Sequence, residues 1–213
     1  MSTFLAVGCN KSRVEPRCVI EMIGESLDTQ IIQSIASKSG ANDTRLYQWE
    51  DHMIIYSNFD NVDRFTQQLS AQFPDIKLKR YITPFYQFKI TEHREGYTPA
   101  KEWDHVVLTA NLVDDMKMQE EYMEYHRTQF EEWPEVAKGF CNADYQELNA
   151  YRNGRQLMLI ISIPANESFE ELDPKTWENN PRVNEWNSIM GAYQVGIEGT
   201  KPGESWVFLN EIK

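Results

Sequence analysis

The residues best suited to chemistry in this sequence are Tyr122 and His126, which are four positions apart in a segment with helical spacing of apolar residues. Residues with this spacing lie one turn apart on the same face of a helix. An imidazole titrates near neutral pH and a phenol is a good proton donor, so the pair is suited to acid/base catalysis. On the residues alone, the alternative is a helix-end histidine that is hydrogen-bonded to a neighbour.

Tryptophans in the second half of the chain are the other chemical signal. Aromatic faces pack against the apolar C–H faces of sugars, and tryptophan with a few polar groups is a common lining for small-ligand pockets. The same residues are equally suited to a hydrophobic core. They are Trp133, Trp177, Trp186 and Trp206.

Charge and cysteine content limit the classes of function. The net charge of −12 argues against a nucleic-acid or anionic-membrane partner. No apolar stretch reaches the roughly 18 residues that a transmembrane helix needs. The three cysteines, Cys9, Cys18 and Cys141, have neither an even count nor the spacing of a zinc site. The sequence therefore predicts neither a disulfide framework nor a bound metal.

Both halves of the chain show the same predicted order of elements, β-α-β-β-α-β, which is the ferredoxin-like unit. The first half has predicted strands at 17–24, 44–49, 53–59 and 77–88, with helices at 28–40 and 62–73. The second has strands at 105–112, 145–151, 156–163 and 205–212, with helices at 114–133 and 181–193. Asn153-Gly154 gives the hairpin signal between its two middle strands.

The domain boundary is predicted from composition. Residues 1–100 carry 11 Lys and Arg against 12 Asp and Glu, whereas residues 101–213 carry 10 against 21. We expect an α+β fold with two tandem ferredoxin-like domains at residues 17–90 and 103–213. Residues 91–102 form the predicted linker and residues 1–16 a flexible segment. The first domain has no recognisable site.

Each ferredoxin-like sheet leaves one face open, and such a face is usually buried against a second sheet. We therefore expect pairing of the dimeric α/β-barrel type. It arises either within the chain, as an intrachain pseudo-dimer, or in a homodimer. In the first case the role of the first domain is structural.

The residues before Cys9 leave two predictions of location open. Leu5-Ala6-Val7-Gly8-Cys9 loosely matches the cleavage box of a bacterial lipoprotein, but it lacks a basic segment and a long apolar run. A cytoplasmic protein is expected. The alternative is a lipid anchor through Cys9, if the true start of translation lies upstream.

Four motifs in the second half resemble those of the L-rhamnose mutarotase family, which includes L-fucose relatives. They occur in the order in which that family carries them, and the resemblance covers about 110 residues. They are residues 120–126 (EEYMEYH) followed by Trp133-Pro134-Glu135-Val136, residues 151–154 (YRNG), residues 180–186 (NPRVNEW) and residues 201–207 (KPGESWV).

The resemblance implies site residues. It places the acid/base histidine at His126, with Tyr122 and Tyr151 as catalytic tyrosines and Trp186 as the tryptophan that stacks on the sugar. All four are expected to line one pocket, between the open sheet face and the first helix of the second half. Spacing after His126 differs from the family pattern, so either Trp133 or Phe130 takes a second aromatic position. Asn187 follows Trp186, where the rhamnose enzymes carry another tryptophan.

The activity that this resemblance implies is interconversion of the α and β anomers of a 6-deoxy-hexose such as L-rhamnose or L-fucose. A base takes the anomeric proton while an acid protonates the ring oxygen, which needs no cofactor and no metal. The predicted ligand is a small-molecule sugar. The alternatives are a non-catalytic carbohydrate-binding or sensing protein and, by analogy of fold alone, a cofactor-free oxygenase.

Overall fold

Residues 17–212 are described by the structure, which is a computed structural model. The predicted flexible segment of residues 1–16, which contains Cys9, lies outside the described residues. The first half follows the predicted order of elements, and the side chain of Asp28 caps α1 as its sequence position suggests. These elements are β1 (Cys18–Ile23), α1 (Thr29–Lys38), β2 (Ala41–Trp49), β3 (His52–Phe59), α2 (Val62–Gln72) and β4 (Lys77–Tyr81).

The second half contains the predicted elements and several short additional ones. Its strands are β5 (Tyr86–Lys89), β6 (Trp103–Leu112), β7 (Glu147–Asn153), β8 (Gln156–Pro164), β9 (Gln194–Val195) and β10 (Val207–Ile212). Its helices are α3 (Ile90–His93), α4 (Met116–Glu132), α5 (Pro134–Asn142), α6 (Phe169–Leu172), a 3-10 helix (Asp173–Thr176) and α7 (Pro181–Gly191). Within residues 17–212, no helix combines the length and the apolar character needed to cross a membrane.

The predicted strand at 77–88 is two strands rather than one. β4 ends at Tyr81 and β5 begins at Tyr86. Pro84 lies between them, and it has no backbone N–H to donate to a ladder. β5 pairs with β7, with Tyr86 opposite Ala150. The chain therefore enters the sheet of the second half before the predicted linker begins.

One antiparallel sheet runs through both halves and curls on itself. Its strand order is β4-β1-β3-β2-β10-β6-β8-β7-β5, and β9 pairs with β6. The halves meet where β2 pairs with β10, with Leu46 opposite Ile212. At the other end β4 approaches β7, where Asn153 Nδ2 donates to the carbonyl oxygen of Arg80 at 3.0 Å. The fold is α+β and ferredoxin-like, with a curled antiparallel sheet.

The inner face of the curled sheet is a core shared by the two halves. Both β7 and β8 bury side chains on both faces, so this inner core is separate from the one beneath the helices of the second half. The inner core consists of Val19, Tyr47, Ile54, Tyr56 and Tyr81 from the first half and Val107, Tyr151, Met158, Ile160 and Leu209 from the second.

A buried charge network at one end of this inner core connects the halves. The carboxylate of Glu21 is fully buried and accepts hydrogen bonds from His52 (2.7 Å), Tyr81 (2.8 Å) and, from the second half, Gln156 (2.9 Å). Lys79 lies 3.6 Å from it. Burial acts to raise the pKa of Glu21, but the His52 hydrogen bond and the Lys79 charge outweigh it and the pKa is lowered. Glu21 is therefore an ionised group held by partners on every side.

Candidate active site

A cavity of about 440 Å³ lies in the second half, between its helices and the sheet. It opens on the helix-covered face of that sheet. The prediction of a pocket at the open face is wrong, because the open face is occupied by the shared inner core. The floor is apolar and the walls are largely aromatic. Floor residues are Leu108, Leu148, Ala150, Leu157, Leu159 and Ile161, and aromatic wall residues are Tyr86, Phe140, Phe169, Trp177, Trp186, Trp206 and Phe208.

Helix α4 brings Tyr122 and His126 to this cavity. The Asp115 side chain caps the helix by accepting a hydrogen bond from the Met118 amide at 3.0 Å. Tyr122 and His126 are one turn apart, and their ring centroids are 4.3 Å apart. Both line the cavity. The predicted proximity of the two groups is therefore present in the structure.

The hydrogen bonding of His126 determines which ring nitrogen is available to a ligand. Nδ1 lies 2.9 Å from the backbone carbonyl oxygen of Tyr122, which can only accept, so Nδ1 carries the proton. Nε2 is then the acceptor of a neutral imidazole. Burial among the rings of Trp186, Phe85 and Tyr86 lowers the pKa of His126 to about 4, although the bond to the Tyr122 carbonyl acts in the opposite direction. At neutral pH His126 is therefore a neutral base.

Tyr122 is a hydrogen-bond donor towards the cavity. The indole N–H of Trp206 donates to Gln194 Oε1 at 2.9 Å, which orients the amide so that Gln194 Nε2 donates to the Tyr122 hydroxyl at 3.3 Å. An indole N–H can only donate, so this orientation is unambiguous. Burial raises the pKa of Tyr122 well above its usual value. Its hydroxyl proton is therefore retained and is left for a ligand.

Only some of the predicted substrate-binding residues line the cavity. Trp186 and Asn187 of α7 line the cavity. Trp133 does not: it packs behind Trp186 with ring centroids 5.5 Å apart, and the Arg182 guanidinium covers its other face at 3.8 Å. Phe130, the alternative for that position, stacks on Tyr86 and is outside the lining as well. Trp133 therefore supports the position of Trp186 and does not form the wall.

Tyr151 is the one predicted catalytic residue that the structure places on the wrong side of the sheet. Its side chain is fully buried in the inner core, and its hydroxyl donates to the Arg17 carbonyl oxygen at 2.7 Å. Along β7, Leu148 and Ala150 face the cavity, so Tyr151 must face away from it. The prediction that Tyr151 shares a pocket with His126 is wrong.

Sequence reasoning missed five polar or amphipathic residues of the cavity: Tyr86, Tyr145, Asp173, Thr176 and Gln194. Tyr145 precedes β7, and its hydroxyl donates a short hydrogen bond to Asp173. The Tyr86 hydroxyl donates to Gln129 of α4 at 2.6 Å. Tyr86 and Tyr145 lie in predicted strands, but the strand pattern does not indicate that they face a cavity. The others lie in short segments without periodicity.

Metal ligation has no obvious place in the described part of the chain. Among residues 17–212, no three His, Cys, Asp or Glu side chains are grouped so that they could hold a metal ion. The polar groups of the cavity include an imidazole, three phenols, a threonine hydroxyl, two amides and one carboxylate, which suit hydrogen bonding to a hydroxylated ligand.

Comparison with known proteins shows the family. The model of the L-rhamnose mutarotase family matches residues 105–212, which span the strands, helices and cavity of the second half. The chain belongs to the L-rhamnose mutarotase family. It is 30% identical over 100 residues to the L-fucose mutarotase of Xanthomonas campestris pv. campestris, an overlap of 45% of this chain and 75% of that protein. Family membership supports sugar-anomer interconversion by an isomerase as the general activity.

Other relatives extend the comparison. A UPF0734 protein of Dictyostelium discoideum is 28% identical over 104 residues, which are 45% of this chain and 77% of that protein. Among solved structures, an uncharacterized ferredoxin-fold protein of Listeria monocytogenes, described as related to antibiotic biosynthesis monooxygenases, is similar over 93% of this chain and 96% of its own. Its TM-score is 0.46 at 11% identity.

Proposed function

We propose that this protein interconverts the α and β anomers of a 6-deoxy-hexose such as L-rhamnose or L-fucose by acid/base opening of the sugar ring. The observation that carries the proposal is the pairing of a neutral base with a free phenol proton on one wall of the cavity. The base is Nε2 of His126 and the donor is the hydroxyl of Tyr122. Family membership and the similarity to an L-fucose mutarotase support the sugar class.

The reaction requires two proton transfers. His126 Nε2 takes the proton of the anomeric hydroxyl while the Tyr122 hydroxyl donates to the ring oxygen, and the bond from the anomeric carbon to the ring oxygen breaks. The free aldehyde rotates, and the reverse transfers close the ring on its other face. Each positioned acid or base contributes roughly 10²–10⁴-fold. Because no oxidation and no carbanion occurs, the protein needs no cofactor for this step.

The remaining walls hold the sugar. Trp186 presents an aromatic face next to His126, with ring centroids 5.3 Å apart, and such a face packs against sugar C–H groups. Asn187 is exposed at the edge of the cavity, where its amide can bond a ring hydroxyl. The apolar floor suits the methyl group that distinguishes a 6-deoxy-hexose.

The proposal is tested by replacing His126. We expect His126→Ala to lower the protein-catalysed exchange rate between the anomers of L-fucose or L-rhamnose by roughly 10²-fold or more, because the base is lost. Saturation transfer between the two anomeric proton signals in NMR measures this rate at equilibrium. His126→Asn is a second variant, since an amide can keep the bond to the Tyr122 carbonyl but offers no basic nitrogen.

His93 provides the matched control. It stacks on Phe130 with ring centroids 4.5 Å apart and lies outside the cavity. His93→Ala should therefore keep the exchange rate of the wild type. If folded His126→Ala and His126→Asn proteins retain the wild-type rate, the assignment of the base is wrong.

One observation favours the alternative of a sugar-binding protein without turnover. A base whose pKa is lowered to about 4 has a weak drive to accept a proton from a hydroxyl. In that case the cavity binds the sugar and exchange stays at the uncatalysed rate. Calorimetry of sugar binding and the exchange rate in the presence of the wild type together separate the two functions. A binding protein binds the sugar only, whereas a mutarotase binds the sugar and accelerates its exchange.

We also propose that the two halves are tandem ferredoxin-like domains that pair within one chain. Support comes from the repeated strand order and from the inner core to which both halves contribute. Since β5 pairs with β7, the boundary between the domains is better placed between Tyr81 and Tyr86 than at residue 90. This pairing would take the place of a homodimer.

A further inference from the structure

A carboxylate without a cationic partner lines the cavity at its other end. Asp173 begins the 3-10 helix, and its Oδ1 accepts the hydrogen bond from Tyr145. Among residues 17–212, burial and this tyrosine are the two influences on its charge, and no ion pair includes it. Burial raises the pKa of Asp173, and the Tyr145 hydrogen bond partly opposes this. Its second oxygen, Oδ2, has no hydrogen-bond partner among the described residues.

The contrast with Glu21 shows what Asp173 lacks. Glu21 is fully buried, but it is surrounded by His52, Lys79 and hydrogen-bond donors. A partly buried carboxylate that lacks such partners costs free energy, because desolvation is not compensated. Hydroxyl groups of a ligand would supply the missing hydrogen bonds. A carboxylate facing the cavity thus points to a hydroxylated ligand.

Asp173 and the acid/base pair occupy opposite ends of the cavity. Tyr122 packs in the cluster that contains Leu157, whereas Tyr145 packs in the cluster that contains Ile161. These two positions are four residues apart on β8, about 13 Å at the usual rise per residue. Side chains reaching in from both ends shorten this span. A sugar with its anomeric carbon at His126 therefore directs its far side towards Asp173.

We propose that Asp173, oriented by Tyr145, is a specificity residue of the sugar site. Oδ2 accepts hydrogen bonds from ring hydroxyls on the side of the sugar away from the anomeric carbon. Aromatic side chains at the same end, Phe169 and Trp177, cover the C–H face of that part of the ring. The site thereby distinguishes sugars that carry a hydroxyl there from deoxy analogues. This inference rests on the proposed function, since it assumes that the sugar binds with its anomeric carbon at His126.

The test compares binding and turnover in Asp173→Asn. Calorimetry gives the Kd of the wild type and the variant for L-fucose, L-rhamnose and their 3-deoxy and 4-deoxy analogues. A hydrogen bond to a charged group is worth about 10- to 100-fold in affinity, so wild type should prefer a parent sugar over one analogue by roughly this factor. In Asp173→Asn that preference should largely disappear. KM for the parent should rise about tenfold or more while kcat stays within about threefold.

Two further variants complete the experiment. Glu171→Gln removes the same charge from an exposed position on the preceding turn and should behave as the wild type. Tyr145→Phe removes the hydroxyl that orients Asp173, and should weaken the preference for the parent sugar while leaving kcat nearly unchanged. Because Tyr145→Phe leaves the carboxylate in place, it tests the inference even if Asp173→Asn does not fold.

Several results would overturn the inference. It fails if Asp173→Asn retains the wild-type preference, if the wild type does not discriminate, or if kcat falls with Kd unchanged. If the wild type binds the parent sugars but does not accelerate exchange, only the proposed function is contradicted. The ratios of Kd between parent and deoxy sugars still test the role of Asp173. Wild type that binds none of the sugars contradicts both.

Discussion

The backbone of α4 controls the chemistry of His126. The carbonyl oxygen of Tyr122 accepts from Nδ1 of the side chain one turn later, and this contact commits the ring to a single neutral tautomer. In the proposed reaction, the nitrogen available to the sugar is then the unprotonated Nε2. A short helical segment thus selects the proton acceptor without any second titratable group, because the helix geometry alone places a carbonyl beside the imidazole.

A pH profile tests this arrangement. Burial lowers the pKa of His126 to about 4, so the neutral form persists from pH 8 to well below the usual imidazole value of about 6.5. We therefore expect no ionisation of His126 in the protein-catalysed part of kcat/KM between pH 8 and about pH 5.5, since this ratio reports the free enzyme. Saturation transfer at each pH, corrected for the rate without protein, measures it. A fall in this range that is absent from Asp173→Asn belongs to Asp173, because burial raises the pKa of that carboxyl.

The free energy of unfolding should also depend on pH through His126, and the lowered pKa fixes the direction of this dependence. In the unfolded chain the imidazole takes up a proton near pH 6.5, but in the folded protein it does so only near pH 4. The unfolded state binds more protons between these values, so the contribution of His126 to stability is complete above pH 6.5 and is lost as the pH falls towards 4. In the kinetic pH profile, a midpoint of kcat/KM near pH 6.5, the usual value of a free imidazole, would contradict the lowered pKa of His126.

Of the candidate residues taken from the family motifs, Tyr122, His126 and Trp186 on helices reach the cavity, whereas Tyr151 on a strand does not. Tyr122, His126 and Trp186 lie on amphipathic helices, whose apolar stripe indicates the inward side. Tyr151 lies on β7, where Leu148 faces the cavity and Tyr151 faces the inner core, and both faces are buried. Alternation then shows that the two residues point in opposite directions, but not which direction holds the site.

At the level of elements, the close packing of α5 against the 3-10 helix positions Asp173. Gly139 of α5 lies directly over this segment, and a Cβ atom there would be 2.4 Å from the carbonyl oxygen of Thr176. The contact is possible only because the glycine has no side chain. The backbone of the 3-10 helix therefore packs directly against the backbone of α5. This contact holds Asp173 at the edge of the cavity.

Substitution of this glycine should disturb both stability and binding. Alanine normally stabilises a helix relative to glycine by about 0.5–1 kcal/mol. In Gly139→Ala the contact with Thr176 should outweigh this gain, and overpacking should lower the free energy of unfolding by about 1–3 kcal/mol. The 3-10 helix should shift, and sugar affinity should fall with it. Urea denaturation and calorimetry measure the two effects.

Gly191 is the matched control for this prediction. Like Gly139 it lies in a helix, as the last residue of α7, but a Cβ atom there would meet nothing within 4 Å. Gly191→Ala should therefore be as stable as the wild type or slightly more so. Equal effects of the two substitutions would show that the contact between α5 and the 3-10 helix does not limit their packing.

The regular elements could be predicted from the sequence, whereas the short connecting ones could not. Strong periodicity identified the long strands and helices of both halves. The sequence predicts β4 and β5 as one strand, because the apolar pattern continues through the residues around Pro84. In the structure the two strands belong to different parts of the sheet. α6 and the 3-10 helix are too short to show periodicity, so the position of Asp173 depends on tertiary contacts alone.

At the level of the whole molecule, the Glu21 network joins the two halves. Glu21, His52 and Lys79 belong to the first half, and Gln156 belongs to the second. Removal of the carboxylate leaves the buried donors of His52 and Tyr81 without an acceptor. The cost should therefore exceed that of an ordinary surface ion pair.

Replacement of Glu21 tests this connection. Glu21→Ala should lower the free energy of unfolding by about 3–5 kcal/mol, because it breaks a buried ion pair with Lys79 and leaves buried hydrogen-bond donors without an acceptor. Chemical denaturation followed by tryptophan fluorescence reports mainly on the second half, which holds five of the six tryptophans. Glu25→Ala, at an exposed position shortly after β1, is the control and should change stability by less than about 0.5 kcal/mol. A loss below about 1 kcal/mol in Glu21→Ala would show that the network does not hold the halves together.

The pairing of β2 with β10 has a consequence for mass action. In an assembly of separate subunits, the joining of two sheets depends on protein concentration, and dilution separates them. Here both strands belong to the same chain, so the curled sheet closes in a unimolecular step. The effective concentration of one half near the other is fixed by the connecting chain. We therefore expect the curled sheet, and with it the proposed sugar affinity of the cavity, to be independent of protein concentration.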